Sequence, residues 1–195
     1  MFAKTILSAV ALTFVLGAAL VPSAKKLDNN NLLEWQTRKL NWSDFQGRPA
    51  YYSSNAALTS YQIGFTYDYK GGNEITFIVK CQFIKSESWA KRVAKTDYIL
   101  NHEQKHFDLA EVYARKLRKK LSQADFRGMK LREIDRIIDR MYDDNWRALT
   151  KAQDDYDGDS EHGIDRTEQR RWDAIIKTEL EKLDRYGSPR VKAAK

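Results

Sequence analysis

The chain has 195 residues, 42% of them apolar, and a formal net charge of +7. That is enough for one domain with a real core. Its single cysteine, Cys81, excludes an internal disulfide and a zinc site built from thiolates. Net positive charge favours anionic surfaces, but no nucleic-acid-binding motif is present.

Lys4 is the only charge before Lys25, and residues 5–21 (TILSAVALTFVLGAALV) are continuously apolar or small. Gly17-Ala18-Ala19 and Pro22-Ser23-Ala24 offer small residues to a signal peptidase. Residues 1–24 are therefore expected to be a cleaved signal peptide, and residues 25–195 the mature domain. The run is on the short side for a spanning helix, which needs about 17–25 residues; a retained N-terminal membrane anchor is the alternative. No cysteine follows it that could carry a lipid. The protein is expected to be exported, to the periplasm or beyond the cell, where nucleic acid is a poor partner.

Residues 25–41 are polar and read as an extended lead-in. Asn41-Trp42-Ser43-Asp44-Phe45-Gln46-Gly47-Arg48-Pro49 mixes aromatics with turn formers, as an ordered loop does. Tyr61, Ile63, Phe65, Tyr67 and Tyr69 then alternate with Gln62, Gly64, Thr66 and Asp68, a period of two. Lys70-Gly71-Gly72-Asn73 is turn material, and the alternation resumes over 74–84 through Ile75, Phe77, Val79, Cys81 and Phe83. This predicts a β-hairpin in an antiparallel sheet wetted on one side, with Cys81 a buried small hydrophobe.

From about Lys91 the period changes. Ile99, His102, His106, Leu109, Tyr113, Leu117 and Leu121 follow three-and-four spacing, with Thr96 or Asp97 as the helix start. The basic run Arg115-Lys116-Leu117-Arg118-Lys119-Lys120 on this helix reads as a solvated face. A second helix over 131–151 buries Ile134, Ile137, Ile138, Met141, Trp146 and Leu149, and an acidic loop over 154–163 follows it. A third helix over 165–184 ends before Gly187-Ser188-Pro189 and a basic tail. With no repeat and no linker, the chain reads as one α+β domain: a small antiparallel sheet followed by three helices, zincin-like.

His102-Glu103-Gln104-Lys105-His106 is an HExxH motif, and His162 is the only other histidine. On a helix, residues i and i+4 share a face. Both imidazoles can then reach one metal ion, with Glu103 beside its open coordination position. Taken singly, histidines on an apolar stripe are more often core residues than ligands. As a pair with a carboxylate between them, their burial is costly unless a cation joins them. A third ligand must come from a distance. Glu161, Asp157, Asp155 and His162 are candidates in the acidic loop, and Glu133 or Asp135 in the helix before it. His162 is preferred, because neutral imidazole is a good zinc ligand. Leu109, Ala110 and Val112 exclude the metzincin continuation of the motif. A calcium loop through Asp155, Asp157, Asp159 and Glu161 lacks the EF-hand order, with Gly158 at the fourth place and Arg166 at the twelfth. The hairpin ahead of the motif supports the metal reading, since zincins set the motif helix behind a small sheet whose edge strand can hold an extended substrate.

Three segments carry a family likeness: Leu40-Asn41-Trp42-Ser43-Asp44-Phe45 with Gly47 and Pro49; Asn101-His102-Glu103-Gln104-Lys105-His106-Phe107-Asp108; and Tyr156-Asp157 through His162-Gly163 with Gln169 and Trp172. In these the chain resembles a family of secreted bacterial proteins described as zinc-dependent proteases, over most of the sequence after the leader. The resemblance implies zinc held by His102, His106 and His162, with Glu103 as general base. The expected function is that of a secreted or periplasmic zinc metallopeptidase. Water in the metal's fourth position, activated by Glu103, would attack a carbonyl of a peptide or protein substrate. Tyr156 is the candidate donor to the resulting oxyanion, against its reading as a packing tyrosine near a turn. Asp108, Asp135 or Asp157 would orient a ligand imidazole. The competing classes are a non-catalytic envelope binding protein stabilised by zinc and an amidase acting on cell-wall peptides.

Overall fold

A computed structural model describes residues 3–6, 9–10, 29–49, 52–70 and 74–194. In chain order the elements are β1 (Ala3–Ile6), β2 (Ala9–Val10), β3 (Leu32–Glu34), β4 (Ala57–Leu58), β5 (Tyr61–Tyr69), β6 (Ile75–Ile84), β7 (Trp89–Ala90), α1 (Asp97–Gln123), α2 (Leu131–Asp159), α3 (Arg166–Lys182) and β8 (Arg190–Lys192). The architecture is α+β, a small antiparallel sheet followed by three helices. The expected signal peptide lies outside the described residues apart from β1 and β2, whose backbones pair antiparallel with β5. Among the described residues no helix is long and apolar enough to cross a membrane.

The β5–β6 hairpin is the frame. Tyr61 lies opposite Phe83, Ile63 opposite Cys81, Phe65 opposite Val79 and Tyr67 opposite Phe77. All eight are buried, so the period-two alternation produces one continuous apolar face. Gly64, Thr66 and Asp68 on the opposite face are only half-buried. The tip, residues 71–73, falls outside the described residues. On its other edge β6 pairs with β3 at one end and β8 at the other. These three-residue strands lie within the stretches expected as lead-in and tail. They are too short to show an alternation of their own, and it is the exposed edge of β6 that recruits them.

Helix α1 begins where Thr96 accepts a hydrogen bond from the Ile99 amide at 3.2 Å and Asp97 meets the positive end of the helix dipole. It packs on β5 and β6, with Phe107 against Phe83 at 5.7 Å, and both α2 and α3 pack on it in turn. Being covered on several sides, α1 buries more than its apolar stripe. The expectation of a solvated basic face therefore fails for Arg115 and Arg118, while Lys119 and Lys120 are exposed. Arg118 is fully buried, donating to Glu111 Oε1 at 2.7 Å, to the Val79 carbonyl at 2.9 Å and to the Tyr186 carbonyl at 3.1 Å. Arg115 donates to Glu111 at 3.0 Å and to the Leu180 carbonyl at 2.8 Å. The Glu111 group thus ties α1 to the sheet and to the C-terminal segment.

The Asn41 segment forms a single capped turn beneath α1. Asp44 receives both guanidinium arms of Arg38 at 2.6 and 2.7 Å, and the Leu40 amide donates to Gln104 Oε1 at 2.7 Å. Helix α2 buries Ile134, Ile138, Tyr142, Asn145, Leu149, Gln153 and Tyr156. Ile137, Met141 and Trp146, expected on that side, are only partly buried. The helix also runs eight residues past Lys151, to Asp159, so most of the expected acidic loop is helical. Leu149, Gln153 and Tyr156 continue the buried stripe at helical spacing. Its polar members hide that continuation from a hydrophobicity reading, because they face histidines rather than apolar core.

Candidate metal centre

Helix α1 presents His102, Glu103 and His106, and the last turns of α2 lie beside it. Two left-handed residues, Glu161 (φ 48) and His162 (φ 54), and Gly163 (φ 83) then reverse the chain into α3. The turn is held by the His162 amide on the Asp157 carbonyl at 2.8 Å and the Asp165 amide on the Ser160 carbonyl at 2.9 Å. It swings Gln169 of α3 back onto His102.

Each motif histidine is oriented through Nδ1. His102 Nδ1 lies 2.9 Å from Gln169 Oε1 and 2.9 Å from the Tyr156 hydroxyl. His106 Nδ1 lies 2.6 Å from Gln153 Oε1, while Gln153 Nε2 donates to the His106 carbonyl at 2.9 Å. Amide oxygens only accept, so both Nδ1 atoms carry hydrogen and both Nε2 atoms offer lone pairs. The two Nε2 atoms are 3.1 Å apart, and Asp157 Oδ1 lies 3.2 Å from that of His102 and 3.1 Å from that of His106. Oδ1 is buried, and while both Nε2 atoms carry lone pairs it has no hydrogen-bond donor. Three lone-pair-bearing atoms converging this closely need a cation among them.

A metal ion fits. Tetrahedral ligands at zinc's usual bond lengths of about 2.0–2.1 Å stand about 3.3–3.4 Å apart, close to the triangle observed. Among the described residues, His102, His106 and Asp157 are the group that could hold a metal ion. Without metal a proton does the same work. Burial alone would lower the His106 pKa, but the charge and hydrogen bond of Asp157, with Glu103 and Gln153, raise it to about 9. Burial would likewise raise the pKa of Asp157, but the two imidazoles hold it well below the usual carboxylate range.

Asp157, one of the third-ligand candidates, joins the histidine pair. The preferred candidate, His162, stands outside that group at the cavity rim. Its side chain is 70% exposed, with Nδ1 3.6 Å from Asp157 Oδ2. Glu103 is buried at the cavity floor, where Thr59 donates to its Oε2 at 2.7 Å. Tyr156, expected as an oxyanion donor, is fully buried behind His102, stacked on that ring at a centroid distance of 4.8 Å. Its hydroxyl meets the Nδ1 side, away from the metal-facing nitrogen, so Tyr156 positions a ligand. Burial pushes its phenol far above the usual tyrosine value, so it remains protonated there.

The other candidates serve elsewhere. Asp108 accepts from Trp35 at 2.8 Å, Gln104 at 2.8 Å and Lys105 at 2.9 Å, and Asp135 accepts from the Tyr67 hydroxyl. Glu133 caps α2 at the Lys130 amide, Asp155 pairs with Lys151, and Glu161 is exposed. The groups that orient the imidazoles are glutamines rather than carboxylates. Gln153 escapes the sequence reading altogether; its only signal is its place four residues before Asp157 on the extended stripe of α2.

The cluster opens into a cavity of about 360 Å³. Residues 55–59, containing β4, form one wall, Trp146 and Thr150 of α2 another, and the 162–164 turn a third. A metal held by two imidazoles and one carboxylate, beside a buried glutamate and an open cavity, has the parts for hydrolysis. No curated protein and no solved structure matches the chain. A family model, described as bacterial protein of unknown function (DUF922), matches residues 41–163, from the Asn41 turn through Gly163. The chain belongs to the DUF922 family of bacterial proteins of unknown function.

Proposed function

We propose that this protein is an exported zinc-dependent peptidase. The observation that carries the reading is the triangle of His102 Nε2, His106 Nε2 and Asp157 Oδ1, with edges of 3.1–3.2 Å, at the floor of a cavity that Glu103 also lines. When bound there, zinc supplies Lewis acidity, polarising a substrate carbonyl and lowering the pKa of water to about 7. Glu103 takes the proton from the attacking water and returns it to the leaving amine; the Thr59 bond holds one carboxylate oxygen still and leaves the other available. His162, exposed at the rim beside Asp157, donates a hydrogen bond to the developing oxyanion in place of Tyr156. Gln153, Gln169 and Tyr156 keep both ligand imidazoles in the tautomer that binds metal. Strand β4 pairs with β7 along one edge while residues 55–59 line the cavity, so a substrate main chain can lie along the opposite edge as an added strand.

The test combines metal analysis with hydrolysis of a broad peptide library. Glu103→Gln should keep its zinc and lose about 10²- to 10⁴-fold in rate. Asp157→Ala should lose stoichiometric zinc, whereas His162→Ala should keep it and hydrolyse more slowly. Equal rates for wild type and Glu103→Gln at equal zinc occupancy would remove Glu103 from the mechanism. Zinc lost from His162→Ala but retained by Asp157→Ala would restore His162 as the third ligand. No hydrolysis by the zinc-loaded wild type across the library would replace the peptidase with a zinc-stabilised binding protein.

A further inference from the structure

Among the described residues two carboxylates line the cavity, Glu103 and Asp157, and both belong to the candidate metal centre. Among the described lining residues Arg166 alone is a lysine or arginine. Its guanidinium carbon sits 4.7 Å from the centroid of Tyr98, and the Tyr98 hydroxyl donates to the Gly163 carbonyl at 2.6 Å. The hydroxyl bond fixes the ring beside the metal-site turn, and the ring supports the cation. No Asp or Glu among the described residues forms an ion pair with Arg166. This contrasts with Arg171 in the next turn of α3, which is 2.5 Å from Glu168. Stacking on an aromatic face also leaves the edge of the planar guanidinium, where its N–H groups lie, free for a ligand.

Resting on the peptidase reading, we infer that Arg166 is a substrate-recognition residue that takes a carboxylate of the bound peptide. The carboxylate is either the C-terminal group or an Asp or Glu side chain a short distance from the bond that is cut. Paired N–H donors matched to a carboxylate give both orientation and strength, and an arginine already braced on a ring loses less freedom when it binds. Zinc with Glu103 and Asp157 is close to neutral, so Arg166 sets the sign of the charge that the rest of the cavity prefers.

Binding can be measured without turnover, on Glu103→Gln protein in metal-free and zinc-loaded forms. The probes are short N-acetylated peptides in matched pairs: free C-terminus against C-terminal amide, and Asp or Glu against Asn or Gln at each position. One pair or the other should show a preference of about tenfold or more for the carboxylate, present with and without zinc. Which pair responds identifies the source of the carboxylate. Arg166→Met should abolish the preference and Arg166→Lys should restore part of it, with zinc content unchanged in both. The inference is overturned if no pair discriminates, or if the preference survives in Arg166→Met. It is also overturned if the preference appears only with zinc, since the carboxylate is then bound by metal. Carboxylate-selective binding that depends on Arg166, in a wild type that hydrolyses no peptide, would refute the peptidase reading and leave the recognition site standing.

Discussion

Gly163 joins the turn after α2 to the candidate metal centre, and Gly163→Ala tests that joint. Its φ of 83 is left-handed, and a Cβ built there would lie 3.0 Å from His102 Nδ1 and 3.2 Å from Cγ of the same ring. Two separable terms follow. An L-residue in the left-handed region costs about 1–2 kcal/mol. Forcing an extra carbon into packed surroundings costs about 1–3 kcal/mol more. The ring cannot swing away cheaply, being held by Gln169 and the Tyr156 hydroxyl at 2.9 Å and stacked on Tyr156. The second term must therefore appear in the ligand geometry. Gly128 supplies the control: its φ is 73, and a Cβ there meets nothing within 4 Å. Gly128→Ala should show the backbone term of about 1–2 kcal/mol alone, and Gly163→Ala a total of about 2–5 kcal/mol. The assays are urea unfolding of the metal-free proteins and zinc affinity by competition with a chromophoric chelator. Gly163→Ala should also weaken zinc about 10- to 100-fold, the range for disturbed support of a metal ligand, and Gly128→Ala should leave it unchanged. Equal effects of the two substitutions on both stability and zinc affinity would refute the coupling between the turn and His102.

Glu111→Ala leaves the fully buried Arg118 without its carboxylate partner and should destabilise the fold by about 3–5 kcal/mol in urea melts. Replacing Glu111, Arg115 and Arg118 together by apolar residues should cost much less, since no charge is then buried unpaired. Zinc uptake at pH 7.5 should release about one proton, because metal displaces the hydrogen of an imidazole whose pKa without metal is about 9. Calorimetry in buffers of different ionisation enthalpy counts that proton, and zero release would show His106 already neutral. The same shift sets the stability of the metal-free protein. A raised pKa contributes stability that is complete below the unfolded value near 6.5 and is lost as pH rises through about 9. Zinc-free melting temperature should fall across that window.

Local pattern by itself determined the hairpin, the existence of the three helices and the pairing of His102 with His106. Each depends on the chain's own periodicity: two for the strands, 3.6 for the helices, and one turn between the histidines. What the tertiary structure decided is which polar residues meet. Tyr156 and Asp157 look like part of an acidic loop because polarity, taken locally, signals solvent, and Gln153 just before it carries no signal of its own. Packed against α1, Gln153 and Tyr156 complete the buried stripe of α2, and together with Asp157 they satisfy two imidazoles. Arg118 looks like part of a basic surface until the sheet, Glu111 and the Tyr186 carbonyl surround it. The strands β3 and β8 exist only because β6 offers them an edge. Hydrophobic burial is written along the chain at short range, whereas partnership between buried polar groups is settled by neighbours far apart in sequence, and the centre at His102, His106 and Asp157 is of that second kind.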